Sequence, residues 1–209
     1  MTDKLYVVGL TGPTGSGKSE VARILGAHGI GIINADDLAR RVVQRGSNCL
    51  KQLVQAFSSD ILNTDGTLNR RRLAQLAFAS AEQTRLLNSI THPAIIALSK
   101  NILREMEQRH ELAAVLDAPL LFESGMDSIC DKTVAVIAPY SMRLERIQSR
   151  DHLSREEAIA RMSAQQAEDY YTSRADIILT SEETLAALQT QAAALACRIR
   201  GWADEKRKH

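Results

Sequence analysis

Residues 5–20 read Leu5-Tyr6-Val7-Val8-Gly9-Leu10-Thr11-Gly12-Pro13-Thr14-Gly15-Ser16-Gly17-Lys18-Ser19-Glu20. Leu5 to Leu10 is a short apolar run rich in β-formers and ended by glycine, the pattern of a buried strand. From Gly17 the period changes: Val21, Ile24, Leu25 and His28 recur at helical spacing until Gly29 stops them. Between strand and helix, Gly12-x-x-x-x-Gly17-Lys18-Ser19 matches the P-loop pattern. Each part has a physical task. Glycines let backbone N–H groups turn inward around a β-phosphate, and the helix points its N-terminal N–H groups at the same anion. Lys18 bridges β- and γ-phosphates, and Ser19 offers a hydroxyl to Mg²⁺.

Outward from this stretch the chain alternates. Ile30–Ile33 reads as a second strand that ends at Asn34-Ala35-Asp36, followed by a helix from about Asp37 to Gln44. Leu112–Leu116, Thr133–Ile137 and Ala175–Leu179 read as three more strands, with helices over Met142–Arg150 and from Glu182 to about Trp202. From Leu68 to about Arg109 no strand pattern occurs. Leu73, Leu76, Ala77, Leu86, Leu87 and Ile90 mark amphipathic helices there, and Pro93 is placed to open another. Five short strands separated by helices predict an α/β fold of P-loop NTPase type: a five-stranded parallel sheet with helices on both faces. One domain is expected, with core segments 1–62, 111–149 and 174–209, a helical insert at 63–110 and an Arg-rich lid at 150–173.

Bulk properties exclude rather than select. The 209 residues suffice for one good core, and 44% hydrophobic with 24% charged residues is ordinary for a globular protein. A formal net charge of +1 gives no global attraction to nucleic acid or an anionic membrane. Cys49, Cys130 and Cys197 are far apart and odd in number, which suits free thiols. No basic start followed by an apolar stretch opens the chain, and no run approaches the ~20 apolar residues of a membrane helix. A cytoplasmic protein is the expectation.

Ligands of such sheets bind at the carboxyl ends of the strands, so residues just after each strand carry the most weight. Asp36 is placed to act as a base for an acceptor hydroxyl, or else it or Asp37 caps the next helix. Asp117 could hold a Mg²⁺-bound water or simply end a strand. Arg143, Arg146, Arg150, Arg155 and Arg161 have the composition of a lid that closes on phosphates, or of a solvated helical face. Glu20 is an unexpected anion beside polyphosphate, and as a first-turn acid it would instead satisfy the helix dipole. Pro13 lacks an N–H, so one donor is lost if that position faces phosphate. No Asn-Lys-x-Asp segment for guanine is present. A kinase with a small acceptor is favoured over a P-loop module that only binds and signals.

The chain resembles the dephospho-coenzyme A kinase family over nearly its whole length. The resemblance rests on Gly9-Leu10-Thr11-Gly12 with Gly15-Ser16-Gly17-Lys18-Ser19, Ala35-Asp36 with Leu38-Ala39-Arg40-Arg41-Val42-Val43, Leu68-Asn69-Arg70, His92-Pro93, Pro119-Leu120-Leu121-Phe122-Glu123, and Arg150-Asp151 with Leu153-Ser154 and Glu156-Glu157-Ala158. It implies transfer of the ATP γ-phosphate to the ribose 3′-hydroxyl of dephospho-coenzyme A, with Mg²⁺ as cofactor. It further implies Asp36 as base, and Lys18 and Arg146 as the cations on the transferring group. Nucleotide would be held by Gly15, Ser16, Gly17, Lys18, Ser19, Glu20 and Arg150. The acceptor would be held by Asp36, Arg70, His92 and Leu120 around the helical insert. His92 reads equally well as a structural cap before Pro93. Departures from the family pattern are Asn34 for a usual aspartate, Pro13 for glycine, Thr180-Ser181 for an asparagine-containing segment, and His152 for glycine or asparagine. Another acceptor, such as a nucleoside monophosphate or a shikimate-like alcohol, is the competing reading.

Overall fold

The computed structural model describes residues 4–181 and 184–208. Five strands form one parallel sheet: β1 (Tyr6–Thr11), β2 (Gly31–Asn34), β3 (Ala113–Asp117), β4 (Lys132–Ile137) and β5 (Ile177–Thr180), in the order β2-β3-β1-β4-β5. The register pairs Val8 with Val115 and Lys132, and Val136 with Leu179. Strand β1 is central and lies where the order reverses, with β3 on one side and β4 on the other. In open α/β sheets the ligand crevice opens at the carboxyl end of such a switch point.

The inner strands β1 and β3 are buried along their whole length because side chains leave them alternately to two covered faces, whereas the edge strands β2 and β5 expose Ile32 and Ile178. On one face Tyr6, Val8, Leu10, Val115, Val134 and Val136 share a core with Val21 and Leu25 of helix α1 (Lys18–Ala27) and with Leu188, Leu195 and Ile199 of the last helix, Leu185–Lys208. On the other face Gly9 leaves room for Leu121: a Cβ at Gly9 would approach the Leu121 side chain to 2.7 Å. Of the predicted final helix, the opening residues Glu182 and Glu183 lie outside the described residues, as does the start of the chain, Met1 to Asp3.

The chain divides into two compact units, residues 1–33 with 103–209, and residues 34–102. The second unit holds α2 (Ala35–Arg41), α3 (Asn48–Phe57), α4 (Arg70–Ala77) and most of α5 (Ala81–Gln108). It begins earlier than the helical insert expected at 63–110 because Val43, Cys49, Leu53 and Phe57 share one cluster with Leu73, Ala77, Leu87 and Ile90. Pro93 does not open a helix; it sits inside the continuous 28-residue α5. Packing explains the difference. Ile90 and Ala94 join that cluster, Ile95 is buried beyond them, and Pro93 with Ser89 lies on the exposed side. Water there can take the Ser89 carbonyl that proline cannot bond.

Between β4 and β5 the chain forms α6 (Tyr140–Asp151), α7 (Arg155–Ser163) and the short α8 (Glu168–Thr172). Leu144 and Ile147 of α6 pack on Ala158 and Met162 of α7. The N-terminus of α7 is closed by a Ser-x-x-Glu capping box: Ser154 Oγ accepts the Glu157 N–H and the Glu157 carboxylate accepts the Ser154 N–H.

Candidate active site

The loop between β1 and α1 has the shape its glycines permit. Gly12 has φ +143°, and a Cβ there would collide with the Val136 carbonyl oxygen. Gly15 has φ +78°, and a Cβ would come within 2.8 Å of the Arg143 carbonyl oxygen. Neither position admits another residue without a shift. Pro13 takes the first place of a turn in which the Ser16 N–H donates to the Pro13 carbonyl at 3.2 Å. Gly15, third in that turn, supplies the positive φ that the third position of a type II turn requires. Ser16 is 1% exposed and its Oγ has no hydrogen-bond partner. A buried hydroxyl without a partner, in a glycine loop that leads into a helix N-terminus, suits an added polar group. A phosphate oxygen fits that need.

Lys18 begins α1 and donates through Nζ to Asp117 Oδ1. Both side chains are largely buried, 14% and 6% exposed, at the adjoining ends of the neighbouring strands β1 and β3. Asp117 is therefore more than a strand-end turn: it supplies the carboxylate that faces the loop lysine. Ser19 follows on the first turn of α1 and is exposed.

Two arginines of α6 reach the loop. Arg146 donates to the Gly15 carbonyl at 3.1 Å and to Ser181 Oγ at 3.0 Å. Arg143 is 8% exposed and donates to the Thr14 carbonyl at 2.9 Å. Burial pulls its pKa below the usual arginine range. Arg150 and Arg161 go elsewhere, converging on Asp151 at 2.8 and 2.6 Å, whose carboxyl the Arg150 guanidinium holds below its ordinary range. Glu20 donates nothing to the loop. It accepts from Arg23 at 2.7 Å and Gln189 at 3.0 Å, and Arg23 pulls its pKa down to about 2. Leu120 is 53% exposed in the turn after β3. Glu123, in the same turn, has one buried oxygen without a partner, and burial raises its pKa.

So the structure gathers Gly15, Ser16, Gly17, Lys18 and Arg146 into one cluster and adds Asp117, Arg143 and Ser181. Asp36, Arg70 and His92 belong to the second unit. Asp36 is exposed in the first turn of α2, where its N–H donates to Asn34 Oδ1 at 2.9 Å. Neither Asp36 nor Asp37 caps the helix; Asn34 does, accepting from both N–H groups. That leaves the Asp36 carboxylate outside the cap. Arg70 is exposed at the start of α4, behind its cap Asn69. His92 lies inside α5, so it caps nothing, and burial lowers its pKa. Gln165 was not singled out by the sequence, yet its Oε1 accepts the Thr14 N–H at 2.9 Å. Its local sequence, Ser163-Ala164-Gln165-Gln166, matches no motif that would have marked it.

A family model described as "Dephospho-CoA kinase" matches residues 6–187. The chain belongs to that family. Among its curated relatives, the dephospho-CoA kinase of Corynebacterium efficiens is 42% identical over 192 residues, spanning 92% of this chain and 96% of that protein. The one from Listeria innocua is 36% identical over 184 residues, 88% of this chain and 92% of that protein. Among solved structures, TT1252 from Thermus thermophilus superposes with a TM-score of 0.78 at 33% identity, covering 93% of this chain and 97% of that one. Dephospho-CoA kinase from Campylobacter jejuni shares the fold, with a TM-score of 0.62 at 24% identity over 94% and 98% of the two chains. The family catalyses the final step of coenzyme A synthesis, and its kinase chemistry implies ATP as the phosphate donor. No helix among the described residues is long and apolar enough to cross a membrane.

Proposed function

We infer that the chain transfers the γ-phosphate of ATP to the ribose 3′-hydroxyl of dephospho-coenzyme A, with Asp36 as the base and Lys18 and Arg146 as the stabilising cations. What supports this reading is a family match over residues 6–187 together with a glycine loop that holds a buried, unpartnered Ser16 hydroxyl, is followed by Lys18 and is contacted by Arg146 at the Gly15 carbonyl. In the reaction the acceptor oxygen forms a bond to the γ-phosphorus while the bond to the β-bridging oxygen breaks. The acceptor's proton passes to the Asp36 carboxylate, and the leaving charge stays on ADP. Little covalent work falls to the protein, so positioning and electrostatics dominate. Loop amides and Lys18 hold the β- and γ-phosphates. Arg146, seated on Gly15, meets negative charge spreading over the transferring group.

The oxygen donors beside the loop suit Mg²⁺: the Ser19 hydroxyl and, through water, the Asp117 carboxylate. Among the described residues no group of three or more His, Cys, Asp or Glu forms a metal cage. A cation held by one or two protein oxygens plus substrate phosphates is the arrangement these residues support. Bound there, Mg²⁺ would neutralise phosphate charge. Arg70, His92 and Leu120 are proposed contacts for the acceptor, with His92 kept neutral by burial and hence a hydrogen-bonding rather than an ionic partner.

The test is ADP release with and without dephospho-coenzyme A. Acceptor-dependent release is expected, and a panel with nucleoside monophosphates and shikimate should give none above background. Asp36→Asn should lower kcat by about 10²–10⁴-fold while ATP affinity stays within about threefold, because the base touches the acceptor and not the donor. Normal turnover by that variant would remove Asp36 from the mechanism.

A further inference from the structure

The Thr14 peptide is gripped on both sides by side chains from far along the chain. Its N–H donates to Gln165 Oε1 at 2.9 Å, and its carbonyl accepts from Arg143 Nε at 2.9 Å. Arg143 Nη2 reaches the same Gln165 oxygen at 3.5 Å, so the two gripping groups also touch each other. The N–H belongs to the peptide plane before Thr14 Cα and the carbonyl to the plane after it, so holding both fixes how the two planes are turned about that Cα. The placement in the loop matters. Pro13 has no N–H, and the Ser16 N–H is taken by the Pro13 carbonyl. Thr14 lies between them, and its backbone dihedrals set the direction in which the chain enters Gly15, Ser16 and Gly17.

The grip depends on a distant element. Gln165 lies just past α7, where its own N–H donates to the Met162 carbonyl. Met162 in turn is buried against Leu144 and Ile147 of α6. Gln165 therefore reaches Thr14 only when α7 is seated on α6. Arg143 is charged and buried, and both its acceptors are neutral.

We propose that Gln165 is a positioning residue for the phosphate loop: with Arg143 it clamps the Thr14 peptide, shaping the loop for nucleotide and tying that shape to the docking of α7. Preorganisation of this kind raises affinity by removing an ordering cost that binding would otherwise bear. The role deepens the proposed ATP chemistry at the same loop and rests on that reading for its nucleotide. Its test reads the loop itself as well.

Gln165→Met keeps length and loses the acceptor; Gln165→Glu keeps an acceptor oxygen. Exchange of the Thr14 amide in nucleotide-free protein is followed by NMR, with the β-sheet amides of Val8 and Val115 as internal reference. ADP affinity is measured by titration calorimetry. In Gln165→Met, Thr14 exchange should speed up about tenfold or more relative to the sheet amides, and the Kd for ADP should rise about tenfold. In Gln165→Glu, Thr14 protection should stay within about twofold of wild type. Equal acceleration of Val8 and Val115 would show general destabilisation and overturn the local role. Unchanged Thr14 exchange in Gln165→Met, equal loss of protection in both variants, or faster exchange with wild-type ADP affinity would each overturn the clamp. A wild-type protein that failed to bind ADP would sink the nucleotide reading, while the Thr14 amide would still report on the clamp.

Discussion

At the scale of single residues, the phosphate loop is defined by what cannot be there. Gly12 faces the Val136 carbonyl so closely that a methyl group has no room, and its φ of +143° is strained for any L side chain. Gly12→Ala should therefore distort the loop from its first residue and lower ATP affinity about tenfold or more, checked by nucleotide titration. Glu20 was the residue whose role in the loop was uncertain in the sequence. Its hydrogen-bond partners are the side chains of Arg23 and Gln189. Its pKa is held near 2 against an ordinary 4.5, chiefly by Arg23. A depressed carboxylate contributes stability that is present above its unfolded pKa and lost as pH falls toward the folded one. Thermal melts from pH 5 down to about 2 should fall more steeply for wild type than for Glu20→Gln; parallel curves would show that the ion pair contributes nothing. Lys18 and Ser16 were legible as residues because their spacing is local. Asp117 was legible only as a candidate, since its lysine lies across two paired strands.

Elements show the same division. The five strands and most helices could be read from periodicity, because burial on two faces or on one stripe writes a pattern into the chain. The ends were read less well. Helix α2 starts at Ala35 rather than Asp37, because Asn34 accepts the N–H groups of Asp36 and Asp37 and takes the capping role that was the alternative reading of those two aspartates. That role gives the Asn34 departure a structural meaning, since an Asn side chain caps as well as an Asp does. Pro93 misled because its local preference for a helix start lost to apolar contacts on both sides of it within α5. At α7 the local signal and the structure agree, and Ser154 and Glu157 close a reciprocal cap. Ser154→Ala should cost about 1 kcal/mol of stability, measured by urea unfolding. If α7 carries the clamp on Thr14, the same variant should loosen nucleotide binding more than a surface substitution such as Glu156→Gln on the same helix.

For the molecule as a whole, the basic end of the last helix is tied into the fold: Lys206 donates to Asp131 at 2.7 Å and to the Leu5 carbonyl at 3.0 Å, and Arg207 donates to the Glu111 carbonyl at 2.8 Å. Asp131 also accepts the Val7 N–H at 2.8 Å, so the final helix is tied to the start of β1 through one carboxylate. Lys206→Ala should destabilise the protein by about 1–2 kcal/mol in urea unfolding, with ADP affinity unchanged because the tie lies at the far end of β1 from the phosphate loop. Loss of nucleotide affinity without loss of stability would contradict that placement. What the sequence determined by itself was whatever is encoded over a few residues: strand and helix periods, glycine positions, the Gly-Lys-Ser cradle, the Ser154 cap and the family to which the chain belongs. What only the tertiary structure decided were the partners that meet across long stretches of chain: Lys18 with Asp117, Arg146 with Gly15 and Ser181, Gln165 with Thr14, Lys206 with Asp131. The physical reason is that a hydrogen bond depends on distance and direction to a tenth of a nanometre or so, and separation along a chain carries no such information until the sheet has brought its strand ends together.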